Sequence, residues 1–504
     1  MRGIWFRHCG PCDSRTGLKD ISWNFRSLAN KCILSRTFGQ LGIAVREGRR
    51  RSVIGGSGHA KGFMKRTLPQ DSLQEIATKL ELAHKALQRR YPGMSAERRP
   101  VHVVYGGAHL FRSGTTRRLG DLAQKSLDEY APDFASFAKA VGLSGSDRLP
   151  SAPDAIAGIT KAVENDPQAA KRENPPAWLA HTVYRRVREK LRREPIEDFR
   201  LDFEDGYGNR PDDEEDGHAA SAAAEISAGM NAGELPQHFC ITLPKVSLPD
   251  EVAALADICS RLEPMLDFEP GALRIEVMVE TSQAIFNERG EANLLALAGA
   301  ARGRCIAAHF GPFDYTSSLG IAAPRNAGAH PASDFARSVM QVALAETGIR
   351  VADGPLNILP IPPHRAATHG VLTARQVDEN RATVHNGWKL QYEHVRRALE
   401  NGFYQGWDLH PAQLPARFAA VYSFFLENLD SSAERLRNFL EKAAQATRIG
   451  HVFDDAAMVQ GFLNFFLQAI HCGAATAEEV EKMTGLTQEE LRVGSFVQIL
   501  ARRK

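Results

Sequence analysis

Two short apolar stretches, each closed by an acid, constrain this chain more than anything else in it. LRIEVMVETSQAIFN (273–287) carries Glu280 where its apolar run stops, and CIAAHFGPFDYTSSLG (305–320) carries Asp314 just past its own. Over 274–280 the pattern has period two, with Ile275, Val277 and Val279 on one face and Arg274, Glu276, Met278 and Glu280 on the other. A strand with unlike faces packs helices with one and lines an interior with the other. FRLDFEDGYGNR (199–210) repeats the pattern, setting Phe199, Leu201 and Phe203 against Arg200, Asp202 and Glu204.

VHVVY (101–105), HFCITLPK (238–245), NILPI (357–361) and FYQGWDLHP (403–411) bring the strand candidates to seven, with helix-like stretches between them. Ser-Leu-Gln-Glu (72–75) has the form of a capping box, opening a helix with Leu73, Ile76, Leu80 and Leu87 that stops before Pro92-Gly93. Residues 116–194 read as helical, broken by loops near 143–153 and 173–177. This alternation is that of an α/β chain with a parallel sheet. It predicts a TIM (β/α)8 barrel, possible strand loss aside, whose active site is built at the C-terminal ends of different strands. Two carboxylates at such ends can converge on one divalent cation. After Pro415 no strand pattern returns. The expected organisation is a basic leader (1–66), a barrel domain (67–415) with an N-terminal helix and the helical insertion 116–194, and a helical C-terminal extension (416–504).

Lys+Arg 62 against Asp+Glu 60 leaves no field to recruit nucleic acid or an anionic membrane. A small molecule is the expected partner, with no nucleic acid and no membrane. Seven dispersed cysteines do not read as a secreted disulfide framework, so a reducing, cytoplasmic compartment is expected. No run approaches the ~18 apolar residues of a membrane span. The leader differs from the rest: residues 1–66 hold fourteen Lys/Arg and, as acids, only Asp13, Asp20 and Glu47. It reads either as an organelle transit peptide or as sequence upstream of the true start, with Met64 as initiator, and the second reading is preferred. Cys9-Gly10-Pro11-Cys12 has redox-type spacing but lacks a βαβ context, and GGSGHAKG (55–62) reads as linker rather than phosphate loop.

Five ordered motifs over about 101–415 resemble the aldolase/citrate lyase (HpcH/HpaI) family: FEDGYGNRPDDEED (203–216), TLPKV (242–246), VETSQAIFN (279–287), FGPFDYTSSLG (310–320) and GWDLHPAQ (406–413). The chain looks closest to a large bacterial branch with a helical C-terminal extension. The resemblance implies a TIM-barrel carbon–carbon lyase or aldolase, in which Glu280 and Asp314 ligate Mg²⁺ (or Mn²⁺). The substrate implied is a 2-oxo acid, 3-hydroxy acid or acyl-CoA ester. It also implies a homo-oligomer, since related barrels commonly assemble. Cleaving a bond beta to a carbonyl leaves an enolate, whose charge a hard cation stabilises.

Asp202, Glu204 and Asp205 add acid density at the same rim, to hold water at the metal or transfer protons. Alternatively they form salt bridges with Arg200 and Arg210. Lys245 pairs with these acids or faces substrate. His410 contacts substrate or fixes the closing turn of the barrel, and His309 is expected to be packed. Two departures from the family stand out. The Glu280 to Asp314 spacing is lengthened by 288–304. The 36 residues 206–241 read as an Ala-rich helix and a turn, where the family has a strand ending in an arginine. Phosphoenolpyruvate-type phosphoryl chemistry and a degenerate, non-catalytic barrel are the alternative readings.

A chain starting at Met64 is expected to melt at the temperature of the full chain, because residues 1–63 carry no periodic apolar face. Paired thermal melts check this, and a large drop on truncation would show that the leader is structural.

Overall fold

The structure is a computed structural model that describes residues 70–236, 240–325, 328–366, 370–441, 447–449, 452–454, 456–494 and 496–503. The leader and its Cys9–Cys12 motif lie outside the described residues. One unit spans 76–499; residues 1–75 and 500–504 form another.

Among the described residues, seven parallel strands organise the larger unit. They are β1 (His102–Gly107), β2 (Phe199–Asp202), β3 (Ile241–Leu243), β4 (Ile275–Val279), β5 (Cys305–Phe310), β6 (Arg350–Ala352) and β7 (Gly406–Trp407). One sheet runs in the order β2-β1-β7 and the other β3-β4-β5-β6, and a parallel bridge between Ala352 and Gln405 links them. Between β2 and β3, Arg200 Nε donates to Thr242 Oγ1 at 3.1 Å. The chain order is thus also the spatial order. Among the described residues of 206–236 there is no strand, and Asp212–Ala232 is helix, as the Ala-rich composition indicated.

The long β1–β2 connection is a set of helices, Thr115–Tyr130, Phe134–Val141, Pro153–Asn165, Pro167–Glu173 and Pro175–Arg193, and the local sequence says where each begins. Asp133 accepts from the backbone of Ala135 and Ser136, Asp166 from Gln168 and Ala169, and Asn174 from Ala177. Each side chain satisfies N–H groups that a helix start leaves without partners, and the prolines sit in first turns where no N–H is needed.

Two sequence expectations are corrected. NILPI (357–361) is not a strand: Pro355, Pro360, Pro362 and Pro363 deprive this stretch of ladder donors. Gln413 Nε2 instead donates to the carbonyl of Leu356 just before it, at 3.0 Å, and to that of Ile358 within it, at 3.5 Å. The sixth strand is Arg350–Ala352, paired with Ala307–His309. Strand structure also returns after Pro415, since β8 (Thr447–Ile449) pairs antiparallel with β9 (Val452–Asp454). Otherwise the C-terminal part is helical, led by Leu414–Glu441, which packs on Ala374–Glu400 and Pro175–Arg193. No described helix is long and apolar enough to cross a membrane. The described cysteines, Cys240, Cys259, Cys305 and Cys472, are free thiols.

The period-two reading of β4 holds on both faces. Ile275, Val277 and Val279 join Val252, Ala256, Leu297 and Met340 from neighbouring helices in one apolar core. On the opposite face Glu276 is 1% exposed and lies in a polar layer. Thr242 Oγ1 donates to Glu276 Oε1 at 2.9 Å, and Arg200 Nη2 stands 3.6 Å from Glu276 Oε2. Arg200 also pairs with Asp198, which accepts from Gln405 Nε2 at 3.1 Å. The Tyr105 hydroxyl lies 3.1 Å from His309 Nδ1, and His309 Nε2 donates to the Asp353 carbonyl at 3.1 Å. His309 is fully buried, as expected, and burial pushes its pKa down, which fits a neutral ring donating at Nε2 and accepting at Nδ1.

A second buried set ties β7 to the C-terminal helices. Asp408 accepts from Arg417 Nη2 at 3.0 Å and Gln391 Nε2 at 2.7 Å and pairs with His102 Nδ1 at 2.8 Å. Burial alone would raise the Asp408 carboxyl, but Arg417 and His102 outweigh it and hold its pKa at about 2.

Arg200→Ala should destabilise the protein by about 3–5 kcal/mol in urea unfolding, because Asp198 and Glu276 would be left buried and uncompensated. Arg200→Met combined with Glu276→Gln should cost less than that single change; an equal or larger loss would refute the pairing. With a depressed folded pKa, the Asp408 contribution is present above about pH 4 and is lost as pH falls toward 2. By linkage it amounts to about 2 kcal/mol. Asp408→Asn should therefore flatten the acid limb of the stability profile over that range.

Candidate active site

The candidate site is assembled by the turns that follow β2, β3, β4 and β5. At the end of β2, Asp202 accepts from the backbone of Glu204 at 2.7 Å and of Gly206 at 2.8 Å. Both carboxylate oxygens thus close the turn, the Asx geometry that lets a short polar side chain replace backbone pairing. Gly206 is needed there because a Cβ would run into Asp202 Oδ2. The turn presents Glu204 and Asp205.

After β3 the chain bends at Pro244, and Lys245 adopts φ +50°, a left-handed conformation uncommon for a residue with a Cβ. The bend aims the Lys245 N–H at Glu280 Oε1, 2.5 Å away, and sends the side chain among the rim acids. Lys245 Nζ lies 2.7 Å from Glu204 Oε1, 3.5 Å from Asp205 Oδ2 and 3.7 Å from Asp314 Oδ1.

Glu280 ends β4, and Thr281 fixes the following turn by donating to Val246 O at 2.7 Å and capping Ser282–Ile285. At the end of β5, Gly311 passes so close that a Cβ would lie 2.6 Å from Glu280 Cβ. Asp314 then stands in the first turn of Pro312–Ser318, where the helix N-terminus favours an anion. The insertion 288–304 forms a short helix, Leu294–Ala300, and leaves β4 and β5 adjacent. Glu280 and Asp314 are therefore brought together despite their wide spacing in the sequence.

Electrostatics separates these acids. Glu280 is buried, and burial pushes its carboxyl up to about 7, with the Lys245 N–H opposing and Asp314 and Glu204 adding to the rise. The Lys245 ammonium loses some solvation, but Glu204, Glu280 and Asp314 more than compensate and raise its pKa. A cationic Lys245 at neutral pH is a poor nucleophile. Glu204, Asp205 and Asp314 are solvent-accessible, and such exposed ion pairs contribute little to stability. Four carboxylates thus face one ammonium, an excess of negative charge that invites a further cation.

Arg200 and Arg210 are not the partners of the rim acids: Arg200 serves the interior, and Arg210 pairs with Glu214. His410 Nδ1 accepts from the Ala412 backbone at 3.1 Å and caps the turn Pro411–Gln413. Any substrate contact by His410 would have to come from its other ring nitrogen. Sequence reasoning missed the close approach of Gly311 to Glu280, although a Gly-Pro pair directly after a strand was the available signal. Among the described residues no group of three or more His, Cys, Asp or Glu side chains forms a metal cage. Mg²⁺ does not demand one, since it is commonly held by one or two carboxylates with waters and substrate. The hard-oxygen donors Glu280 and Asp314 fit that description.

No curated protein matches the chain. Among solved structures, it is similar to a citrate lyase from Burkholderia xenovorans LB400, with 18% identity, 60% of this chain and 91% of the other covered, and a TM-score of 0.42. It is also similar to CitE from Mycobacterium tuberculosis in complex with magnesium, acetoacetate and coenzyme A, with 16% identity, 60% and 96% coverage and a TM-score of 0.35. A third likeness is to a Haloferax volcanii malate synthase in a lead(II) complex, with 15% identity, 57% and 73% coverage and a TM-score of 0.27. The model of the family described as Domain of unknown function (DUF6986) matches residues 80–235 and 230–499, most of the chain, and the protein belongs to that family.

Proposed function

We propose that the protein is a β/α-barrel carbon–carbon lyase or aldolase that uses Mg²⁺ or Mn²⁺ and acts on a 2-oxo acid, a 3-hydroxy acid or an acyl-CoA ester. The observation that supports this reading is the convergence of Glu204, Asp205, Lys245, Glu280 and Asp314 from the ends of four neighbouring parallel strands. Glu280 and Asp314 would hold the cation, which when bound supplies Lewis-acid stabilisation of charge developing on a substrate carbonyl oxygen.

The remaining residues take roles that their contacts suit. Lys245 offers a permanent positive charge to a substrate carboxylate, and its backbone N–H orients the Glu280 carboxylate. Glu204 and Asp205, exposed at the rim, are the proton-transfer candidates. Asp202 is a positioning residue, holding the turn that carries them. His410 keeps its substrate-side role only through the ring nitrogen not used in capping. A second reading, a non-catalytic barrel, draws on the Lys245 ammonium, which already offsets part of the acidic charge without any metal.

Metal titration with activity assays separates the two. With Mg²⁺ at a hundredfold excess over Kd, the wild type should gain about 2.7 kcal/mol of stability. Glu280→Gln and Asp314→Asn should lose that increment, together with turnover of oxaloacetate, malyl-CoA or citramalyl-CoA. Lys245→Met keeps the backbone N–H and removes the competing charge, so it should tighten Mg²⁺ about three- to tenfold while lowering turnover. A wild-type melt and calorimetric baseline indifferent to millimolar Mg²⁺ and Mn²⁺ would leave the non-catalytic barrel standing.

A further inference from the structure

The helix Gln70–Arg90 displays an apolar stripe to solvent. From Leu73 to Arg90 every side chain is exposed apart from His84, which is partly buried. Leu73, Ile76, Leu80, Ala83 and Leu87 follow the alternating three-and-four spacing of a heptad seam. The large members of this seam, Leu73, Ile76, Leu80 and Leu87, are 39–59% exposed. Helices draw most of their stability from packing an amphipathic face, and contiguous exposed apolar surface marks interaction sites.

The charge pattern selects the occupant. Residues 70–81 carry Asp71, Glu75 and Glu81 against Lys79, whereas 82–90 carry Lys85, Arg89 and Arg90 with no acid. Glu81 and Lys85 pair with each other within the helix at 2.7 Å, so the ends carry the contrast, Asp71 and Glu75 at one and Arg89 and Arg90 at the other. Two copies laid antiparallel put each acidic end against the other's basic end, and a parallel pair would put like against like. A helix of 21 residues is about 31 Å long. Pairing two of them along the seam buries on the order of 1,000 Å², near the lower limit of a specific interface. We propose that Gln70–Arg90 is a self-association surface that pairs antiparallel with the same helix of a second copy of this chain, through Leu73, Ile76, Leu80 and Leu87. The inference stands on this helix alone and does not depend on the catalytic reading.

Light scattering on the full chain at micromolar concentrations tests it. The wild type should show twice the 55.4 kDa chain mass. Leu80→Glu should give a monomer, and its thermal melt should stay close to wild type because the side chain is exposed. Arg89→Glu with Arg90→Glu, a change confined to surface charge, should weaken the dimer at least tenfold. In a parallel pair that double change would relieve repulsion and tighten the dimer, an outcome that overturns the proposal. It is equally overturned by a wild type that stays monomeric, by a dimer that Leu80→Glu leaves intact, or by a full chain that dimerises only after truncation to Met64, which would show that the upstream residues cover the stripe.

Discussion

An arginine buried among strands is costly unless its charge is met, and Arg200 is the interaction on which this architecture turns. Its guanidinium is flanked by Asp198 and Glu276 and donates to Thr242, so three successive strands are bound through one group. Parallel sheets usually fill such space with branched apolar side chains. A polar filling carries a stricter demand. Shifting β4 by one residue would turn Glu276 into the apolar core of its helices and leave Arg200 facing Ile275. Partly satisfied buried networks are worse than none, so the layer tolerates a single register.

That register carries up to the rim. With Thr242 opposite Glu276, β3 stops two residues before the end of β4, and the bend after Pro244 lets the Lys245 N–H meet Glu280. The site therefore depends on a layer that takes no part in its proposed chemistry. At the rim the physics differs, because water is present and ion pairs are individually weak. Lys245 holds a left-handed backbone conformation there, and the acids outnumber the cation. An arrangement that contributes little to stability and accepts backbone strain is better suited to binding than to folding. Glu280 is buried and Asp314 is accessible, so one carboxylate offers a fixed ligand at the base of the site and the other an adjustable one at its edge.

Much of the fold was legible in the residues because its signals are local. Period two in 274–280 gave strand faces that the packing of Val277 and the burial of Glu276 bear out, whereas Phe203, read onto the apolar face of 199–204, stands exposed past the end of β2. The Ala-rich stretch after Asp205 likewise announced its conformation. The failures have physical causes. NILPI has strand composition, but Pro360 and the prolines flanking the stretch cannot donate, and the carbonyls of Leu356 and Ile358 are met by Gln413 from far along the chain. The short strand Arg350–Ala352 has three residues, too few for a periodic signal, and exists because β5 offers it an edge. The antiparallel pair Thr447–Ile449 and Val452–Asp454 sits between long helical patterns that dominate any window containing it.

The candidate site divides the same way. By itself the sequence determined which acids stand at strand ends, since Glu280 and Asp314 each follow an apolar run, and it placed Lys245 at the end of the stretch 238–245. Only the tertiary structure decided that Lys245, rather than Arg200 or Arg210, meets the rim acids. It alone turned Asp202 inward to close its own turn and gave His410 to a cap. Strand ends are written in local hydrophobic periodicity, which acts over a few residues. The choice among several possible charge partners is made by distance and burial, and those exist only once the strands have been brought side by side.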